Sequence, residues 1–483
     1  MAPLLPVVSR TGFRLSVIVA AVLLAGCAAG PDYVRPAVET PAAWKETGAW
    51  KTAQPQPADS QHPWWEAYGD SILNTLVAQA NVANQNIRQA EAQYRAASAA
   101  ADAARAGFFP TAGLSAGAGR ALTNSNGVRL GNNETLGFAA SWQPDLWGSV
   151  RRSVEAGNAG AQASADDLAG AQLSIQAAVV QDYLQLRVTD QLRELYAATT
   201  LAYTRALELT QHQYEAGVAL RSDVALAQSQ LKTAQAQGTD LDAQRAQLEH
   251  ALAILTGRPP AAFSLAPATA EHPFEARLPA SPPGLPSELL ERRPDIASAE
   301  RHVAQANANI GVATAAYFPS LTLSATGGFS AAQFGTLFNT PSRVWSLGAA
   351  LAQTVFDGGL RRARTAQAVA TYDASVAQYK QTVLNGFQQV EDNLSTLRVL
   401  DGEARLQDEA VQASQLAERL ALAQYRAGSA NYLAVVTAQN LSLANQRTAA
   451  QLLGRQLAAS VSLITATGGG WNAPTTESRK PTP

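Results

Sequence analysis

The side chains that could hold a metal or act as nucleophiles are sparse and scattered. His62, His212, His250, His272 and His302 are isolated from one another, without the paired spacing a zinc site needs. The acidic pairs Asp166-Asp167 and Glu391-Asp392 lie in Ala- and Gln-rich sequence of helical period and read as solvated helix faces. No phosphate-binding loop or nucleophile elbow occurs, so no enzymatic activity, metal or diffusible cofactor is expected. Cys27 is the only thiol of the 483 residues, which excludes internal disulfides and a cysteine-built metal site. Thirty-six basic residues against 38 acidic ones leave a net charge of -2, so no nucleic-acid partner is expected.

The chemistry the sequence does offer is at Cys27. Arg10 and Arg14 precede the apolar run from Leu15 to Leu24, and Leu24-Ala25-Gly26-Cys27 closes it with small residues. This closure resembles a bacterial lipoprotein box, which implies removal of residues 1–26 and a covalent lipid on Cys27. Ala28, where Asp would retain the protein at the inner membrane, implies sorting to the outer membrane. An ordinary secretory leader with an incidental cysteine is the alternative. Acyl chains contribute about 0.8 kcal/mol per buried methylene, enough to hold the extended segment 27–65 at a bilayer. No later stretch reaches the roughly 20 apolar residues of a spanning helix, so any membrane crossing must use strands.

The elements that follow are written twice. Phe108-Phe109-Pro110 recurs as Tyr317-Phe318-Pro319, Gly148 with Arg151-Arg152 as Gly358 with Arg361-Arg362, and Gln213-Tyr214-Glu215-Ala216-Gly217 as Gln424-Tyr425-Arg426-Ala427-Gly428. The order is kept while the register drifts by only two positions, which indicates duplication. The first copy covers 66–257 and the second 287–470, separated by a Pro- and Ala-rich linker at 258–286 and followed by a tail at 471–483.

All 24 prolines avoid Asp145 to Arg258 and Ser342 to Ala473. Most of each window is rich in Ala, Gln and Leu, with the helical spacings Val180, Leu184, Val188, Leu192 and Leu384, Phe387, Leu394, Leu397. A helix from about 148 to 216 would extend roughly 100 Å and needs partners along its length. A coiled-coil spacer would show the same period. Each rod is expected to fold back at a glycine in the left-handed conformation, Gly217 in the segment 217–223 and Gly428 in 428–432. Ser222 or Asp223 then caps the next helix in the first copy, and Ser429 or Asn431 in the second.

Between these elements lie strands of alternating character, expected at about 108–122, 134–145, 317–328 and 344–356. Leu321, Leu323 and Ala325 alternate with Thr322, Ser324 and Thr326, and no Asp, Glu, Lys or Arg occurs from Val303 to Ser342. Such strands match an outer-membrane barrel, although a half-buried soluble hairpin has a similar pattern. Four strands cannot close a barrel, and open edges are not tolerated in lipid, so other copies must complete it. Two copies would supply eight strands and three would supply twelve.

Gly30-Pro31-Asp32-Tyr33 with Arg35-Pro36, Trp64-Trp65, Asp145-Leu146-Trp147-Gly148 with Arg151-Arg152, Leu289-Leu290-Glu291-Arg292-Arg293-Pro294-Asp295-Ile296 and Tyr425-Arg426-Ala427-Gly428 resemble the outer membrane efflux proteins, in the branch of NodT-type and OprM-type lipoproteins related to TolC. The resemblance covers essentially the whole mature chain. It implies an α+β membrane protein whose homotrimer forms a twelve-stranded β-barrel, four strands per chain, continued by a long α-helical barrel across the periplasm. It further implies a periplasmic adaptor and an inner-membrane transporter, usually of the resistance-nodulation-division class, with this chain as the passive gated exit. A duct for protein or peptide secretion, or a lipoprotein scaffold without a pore, are the alternative readings.

The family's gate is at the hairpin tips, which maps it to Ser222, Asp223, Tyr425, Ala430, Ala434 and Thr437. Positions 430, 434 and 437 often carry charge in the family and do not here, so Asp223 and Tyr425 are expected to keep part of the lock. Asp223 can also serve as a helix cap. Adaptor contact is expected at Gly217, Val218, Ala219, Gly428, Ser429 and Asn431. The paired Trp64 and Trp65 are expected to anchor the extended segment against the rods, with a lipid interface as the alternative.

Overall fold

The computed structural model describes residues 29–46, 63–123, 129–268, 274, 278–279 and 289–471. Cys27, the leader, Asn126, much of the linker and the tail beyond Trp471 lie outside the described residues. The first copy contains α1 (Ser71–Ala83), α2 (Gln85–Ala106), β1 (Thr111–Thr123), β2 (Arg129–Trp142), α3 (Ser149–Glu215) and α4 (Arg221–Leu255). The second contains α5 (Leu289–Arg292), α6 (Pro294–Ala315), β3 (Ser320–Ala331), β4 (Arg343–Ala352), α7 (Leu360–Arg426) and α8 (Tyr432–Ala466).

Strand ends differ from expectation by a few residues, for local reasons. β1 begins at Thr111 because the preceding aromatic pair closes α2, with Phe108 and Phe109 N–H donating to Arg105 and Ala106 carbonyls. Tyr317 and Phe318 close α6 in the same way, so β3 begins at Ser320. β2 starts earlier, at Arg129, and stops at Trp142, two residues before Pro144, which lacks a ladder donor. β4 ends at Ala352, opposite Ser320, leaving 353–356 without a partner strand.

The chain forms two compact units, each drawn from both copies. One comprises Met1–Ala37, Gln93–Ala165 and Ser298–Lys380. Its sheet is antiparallel throughout in the order β1-β2-β3-β4, with Leu114 opposite Phe138, Trp142 opposite Leu323 and Leu321 opposite Leu351. Its helical core is mostly alanine, including Ala101, Ala156, Ala159, Ala304 and Ala308, which permit close helix approach, with Val303, Ile310 and Tyr379 as its larger members.

The other unit comprises Val38–Ala92, Asp166–Ala297 and Gln381–Pro483. Val180, Leu184, Val188 and Leu192 all enter its main core with Leu73, Ile87, Leu252 and Leu457. Each fully buried aliphatic side chain contributes about 1.5–3 kcal/mol. In α7, Phe387 and Leu394 are buried but Leu384 is exposed. Trp64 and Trp65 meet edge to face at 5.8 Å and pack on the main core.

A charged hub holds the start of the linker in this unit. Asp190 accepts from Arg187 Nη1 at 3.1 Å, Arg245 Nε at 2.8 Å and the Ala268 N–H at 3.0 Å. Arg245 also donates to the Leu265 carbonyl at 2.6 Å. Arg187 Nε reaches the Tyr183 hydroxyl at 3.0 Å, which donates in turn to Asp70 at 2.5 Å. Burial and the bond to Asp70 raise the Tyr183 pKa above the ordinary phenol range.

Candidate functional site

The strand register separates the sheet into two chemically distinct faces. One carries Leu114, Leu122, Leu130, Phe138, Trp345, Leu347 and Leu351, all exposed although large and apolar. The opposite face carries Thr111, Ser115, Thr135, Ser141, Ser324, Thr326 and Ser346 among glycines and alanines. Thr326 and Ser346 share a hydrogen bond across the strands at 2.7 Å. The edges of the sheet are β1 and β4. An apolar face toward hydrocarbon and a small polar face toward water is the alternation of a membrane barrel wall.

At the helix end of this sheet, aromatic side chains fix the strand entries. Trp142 Nε1 donates to the Phe108 carbonyl at 2.9 Å and Trp147 Nε1 to the Pro319 carbonyl at 2.6 Å. The Trp147 ring stacks on Phe318 at 4.9 Å. Asp145 accepts the Val150 and Arg151 N–H groups at the start of α3, and Asp357 those of Gly359 and Arg361 at the start of α7. The bonds from Arg361 and from these backbone N–H groups hold the Asp357 carboxyl below its usual range.

Arg152, in the first turn of α3, holds the N-terminal strap 29–36. Its guanidinium reaches the carbonyls of Ala29 and Gly30 and the Asp32 carboxylate. Ala29 N–H donates to the Trp147 carbonyl at 3.0 Å. Asn307 donates to the Pro31 carbonyl at 3.0 Å, and the Tyr33 hydroxyl bonds Glu300. A Cβ on Gly30 would come 2.4 Å from the Gly311 Cα, so only glycine lets the strap backbone lie against α6.

The hairpin tips belong to the other unit. Gly217 has φ +75° and Gly428 φ +72°. Val218 N–H donates to the Gln213 carbonyl at 2.8 Å and Ser429 N–H to the Gln424 carbonyl at 2.9 Å, the Schellman closure in both copies. The N-cap of α4 is Leu220, not Ser222 or Asp223. Asp223 acts from inside the first turn, accepting the Leu220 N–H at 3.2 Å, and its charge suits a helix N-terminus. Asn431 caps α8, accepting from the Ala434 N–H at 3.1 Å.

Gly217, Val218, Ser222, Gly428, Ser429, Asn431, Ala434 and Thr437 are exposed, whereas Ala219, Asp223 and Ala430 are half-buried. Tyr425 differs from the rest. It is buried with Ala227, Tyr432, Val435 and Val436, its ring 5.3 Å from Tyr432, and its hydroxyl donates to Thr210 Oγ1 at 3.3 Å. This side chain stitches hairpin to hairpin inside the chain.

The outer membrane efflux protein model matches residues 76–258 and again 285–469, once on each copy. The chain belongs to this family. Among relatives of the efflux protein, the pyoverdine export outer membrane protein OpmQ of Pseudomonas aeruginosa is 31% identical over 471 residues, covering 95% of this chain and 97% of the relative. The toluene efflux pump outer membrane protein TtgC of Pseudomonas putida is 31% identical over 469 residues, covering 95% of each. The outer-membrane channel OprN superposes with a TM-score of 0.85 at 30% identity, over 92% of this chain and 100% of that one. The open state of the MtrE outer membrane channel of Neisseria gonorrhoeae gives 0.81 at 27%, over 93% and 100%. The fold of this efflux protein is thus that of the outer-membrane channels.

Some of the arrangement carries a sequence signal and some does not. Arg152 and the Gly30-Pro31-Asp32-Tyr33 strap are legible as family motifs, but their mutual contact is not, because they are separated by more than a hundred positions. The Asp190 hub and the buried amides Gln230 and Gln439, 3.3 Å apart, carry no motif. Among the described residues no group of three or more His, Cys, Asp or Glu gathers.

Proposed function

We propose that this efflux protein is the exit duct of a tripartite system that expels drugs or other small toxic compounds. The observation that carries the reading is the four-stranded sheet with one exposed apolar face and two open edges. Such edges cannot face hydrocarbon. Three copies joined β4 to β1 give twelve strands, wide enough for an aqueous bore, with α3 and α7 beginning where strands β2 and β4 end. A lipid on Cys27 tethers each copy two residues upstream of the Arg152 clamp.

Energy comes from an inner-membrane transporter of the resistance-nodulation-division class, coupled through a periplasmic adaptor. The exposed tip residues Gly217, Val218, Gly428, Ser429 and Asn431, with half-buried Ala219, form the adaptor contact. Ser222, Asp223 and Thr437 form the polar part of the gate between neighbouring copies. Ala430 and Ala434 make the inner ring uncharged, and Tyr425 braces the hairpins from within. The names of the two relatives, which speak of pyoverdine and toluene, favour small organic cargo over secreted protein.

Deleting the gene should raise susceptibility to several unrelated small compounds while leaving the secreted proteins unchanged. The reverse pattern would sink the efflux reading in favour of secretion. A photocrosslinker at position 219 or 430 should capture the adaptor, and one at Asn126 should not.

A further inference from the structure

The apolar face of the sheet carries three charged side chains among its described residues: Arg120, Glu134 and Arg343. Arg120 shares its face with Leu114 and Leu122, and Arg343 lies opposite Phe329, which lies opposite Leu136. An arginine facing lipid costs about 2–4 kcal/mol at the bilayer midplane and roughly 0–1 near the interface. Both arginines therefore belong at the edge of the hydrocarbon.

Their depth agrees with that requirement. Arg120 stands nine residues beyond Thr111, the start of β1, and Arg343 nine residues before Ala352, the end of β4. Nine residues at about 3.3 Å each span about 30 Å along a strand. At the usual tilt of about 40° this is about 23 Å of height, close to the roughly 25 Å apolar band of such barrels. Both guanidiniums thus stand at the rim farthest from the helices. Below them the face is apolar, with Leu114, Phe138, Trp345 and Leu347. Phe329 and Phe338 meet edge to face at 5.4 Å near Arg343.

The two arginines are also on the two edge strands. When copies close the barrel, β4 of one chain meets β1 of the next, so Arg343 and the neighbour's Arg120 face one seam at one depth. Glu134 is on β2, set back from the seam and half-buried.

We infer that each seam carries a clamp, Arg343 of one copy with Arg120 of the next, that binds the phosphate groups of outer-leaflet lipid headgroups. Guanidinium forks match phosphate oxygens in bidentate geometry. The apolar band beneath would seat the acyl chains of the same lipid, which free phosphate lacks. This inference rests on the multi-copy barrel proposed above.

The test uses the full-length protein reconstituted in phosphatidylcholine vesicles doped with either bisphosphorylated lipid A or its dephosphorylated form. Lipid retained through detergent purification is then counted. The wild type should retain the phosphorylated form several-fold over the other, and the double variant R120Q/R343Q should retain the two equally. Single-channel current of the variant in a neutral bilayer should match the wild type, which separates loss of the clamp from loss of the barrel. Equal retention of both lipids by the wild type would overturn the clamp, as would undiminished preference in the variant. Competition by inorganic phosphate at the same phosphorus concentration would reduce it to a simple anion site and overturn the lipid assignment. Absence of current from the wild type would overturn the barrel and the clamp together.

Discussion

Nη2 of Arg152 lies 2.8 Å from the Asp32 carboxylate, whereas Arg362, its counterpart in the second copy, is exposed to solvent. The duplication gave two arginines, and one strap occupies only the first. Arg152 is buried while Asp32 is almost fully exposed, so the geometry of the strap depends chiefly on the arginine. Replacing Arg152 with Ala removes its bonds to the Ala29 and Gly30 carbonyls and should cost about 1–3 kcal/mol. Thermal melting of the detergent-solubilised protein should register the loss, and Arg362→Ala should leave the melt unchanged. Equal effects from the two variants would refute the asymmetry.

The bond Asp223 accepts at the start of α4 and the gate role proposed for it separate experimentally. Asp223→Asn keeps an acceptor for the Leu220 N–H but removes the charge, whereas Asp223→Ala removes both. Loss of the cap should cost about 0.5–2 kcal/mol and speed hydrogen exchange at residues 220–224. If the charge also constricts the tip, both variants should raise single-channel conductance. Unchanged conductance in both would leave Asp223 a first-turn acceptor for the Leu220 N–H and nothing more.

Asp190 is 1% exposed and receives two arginines and a linker N–H. Asp190→Ala would leave Arg187 and Arg245 buried without their shared carboxylate, a change that typically costs about 3–5 kcal/mol. The linker start near Leu265 and Ala268 should then become a site of rapid limited proteolysis. Resistance equal to that of the wild type would show that the hub does not hold the segment.

Tyr432 predicts a response to alkali. Burial, followed by the neighbouring Tyr425 and Tyr203, pushes its pKa up to about 12, against roughly 10 in an unfolded chain. The folded state holds the proton longer, so its contribution is complete below about pH 10 and declines as pH rises toward about 12. Tyr432→Phe should flatten part of the loss of helicity over that window, by on the order of 1–3 kcal/mol. An identical alkaline decline in wild type and variant would contradict the assignment.

How much of this was legible follows from where each signal resides. Long proline-free runs with buried residues such as Val180 and Leu184 reveal helices locally, and the glycines at 217 and 428 mark their ends because glycine adopts that left-handed backbone without strain. Strand alternation reveals the two faces, but the aromatic pairs before Pro110 and Pro319 close helices instead of opening strands, which displaced the expected starts. The cap at Leu220 escaped because its hydrogen bond comes from Asp223, three residues inside the helix. Burial of Tyr425 depends on Tyr432 and Thr210 arriving from other elements, and no local spacing reports that.

The central claim is that one chain is an incomplete wall. Native mass spectrometry of the detergent-solubilised protein measures completion directly: a complex of three chains is predicted. A monodisperse single chain, stable without partners, would contradict the account.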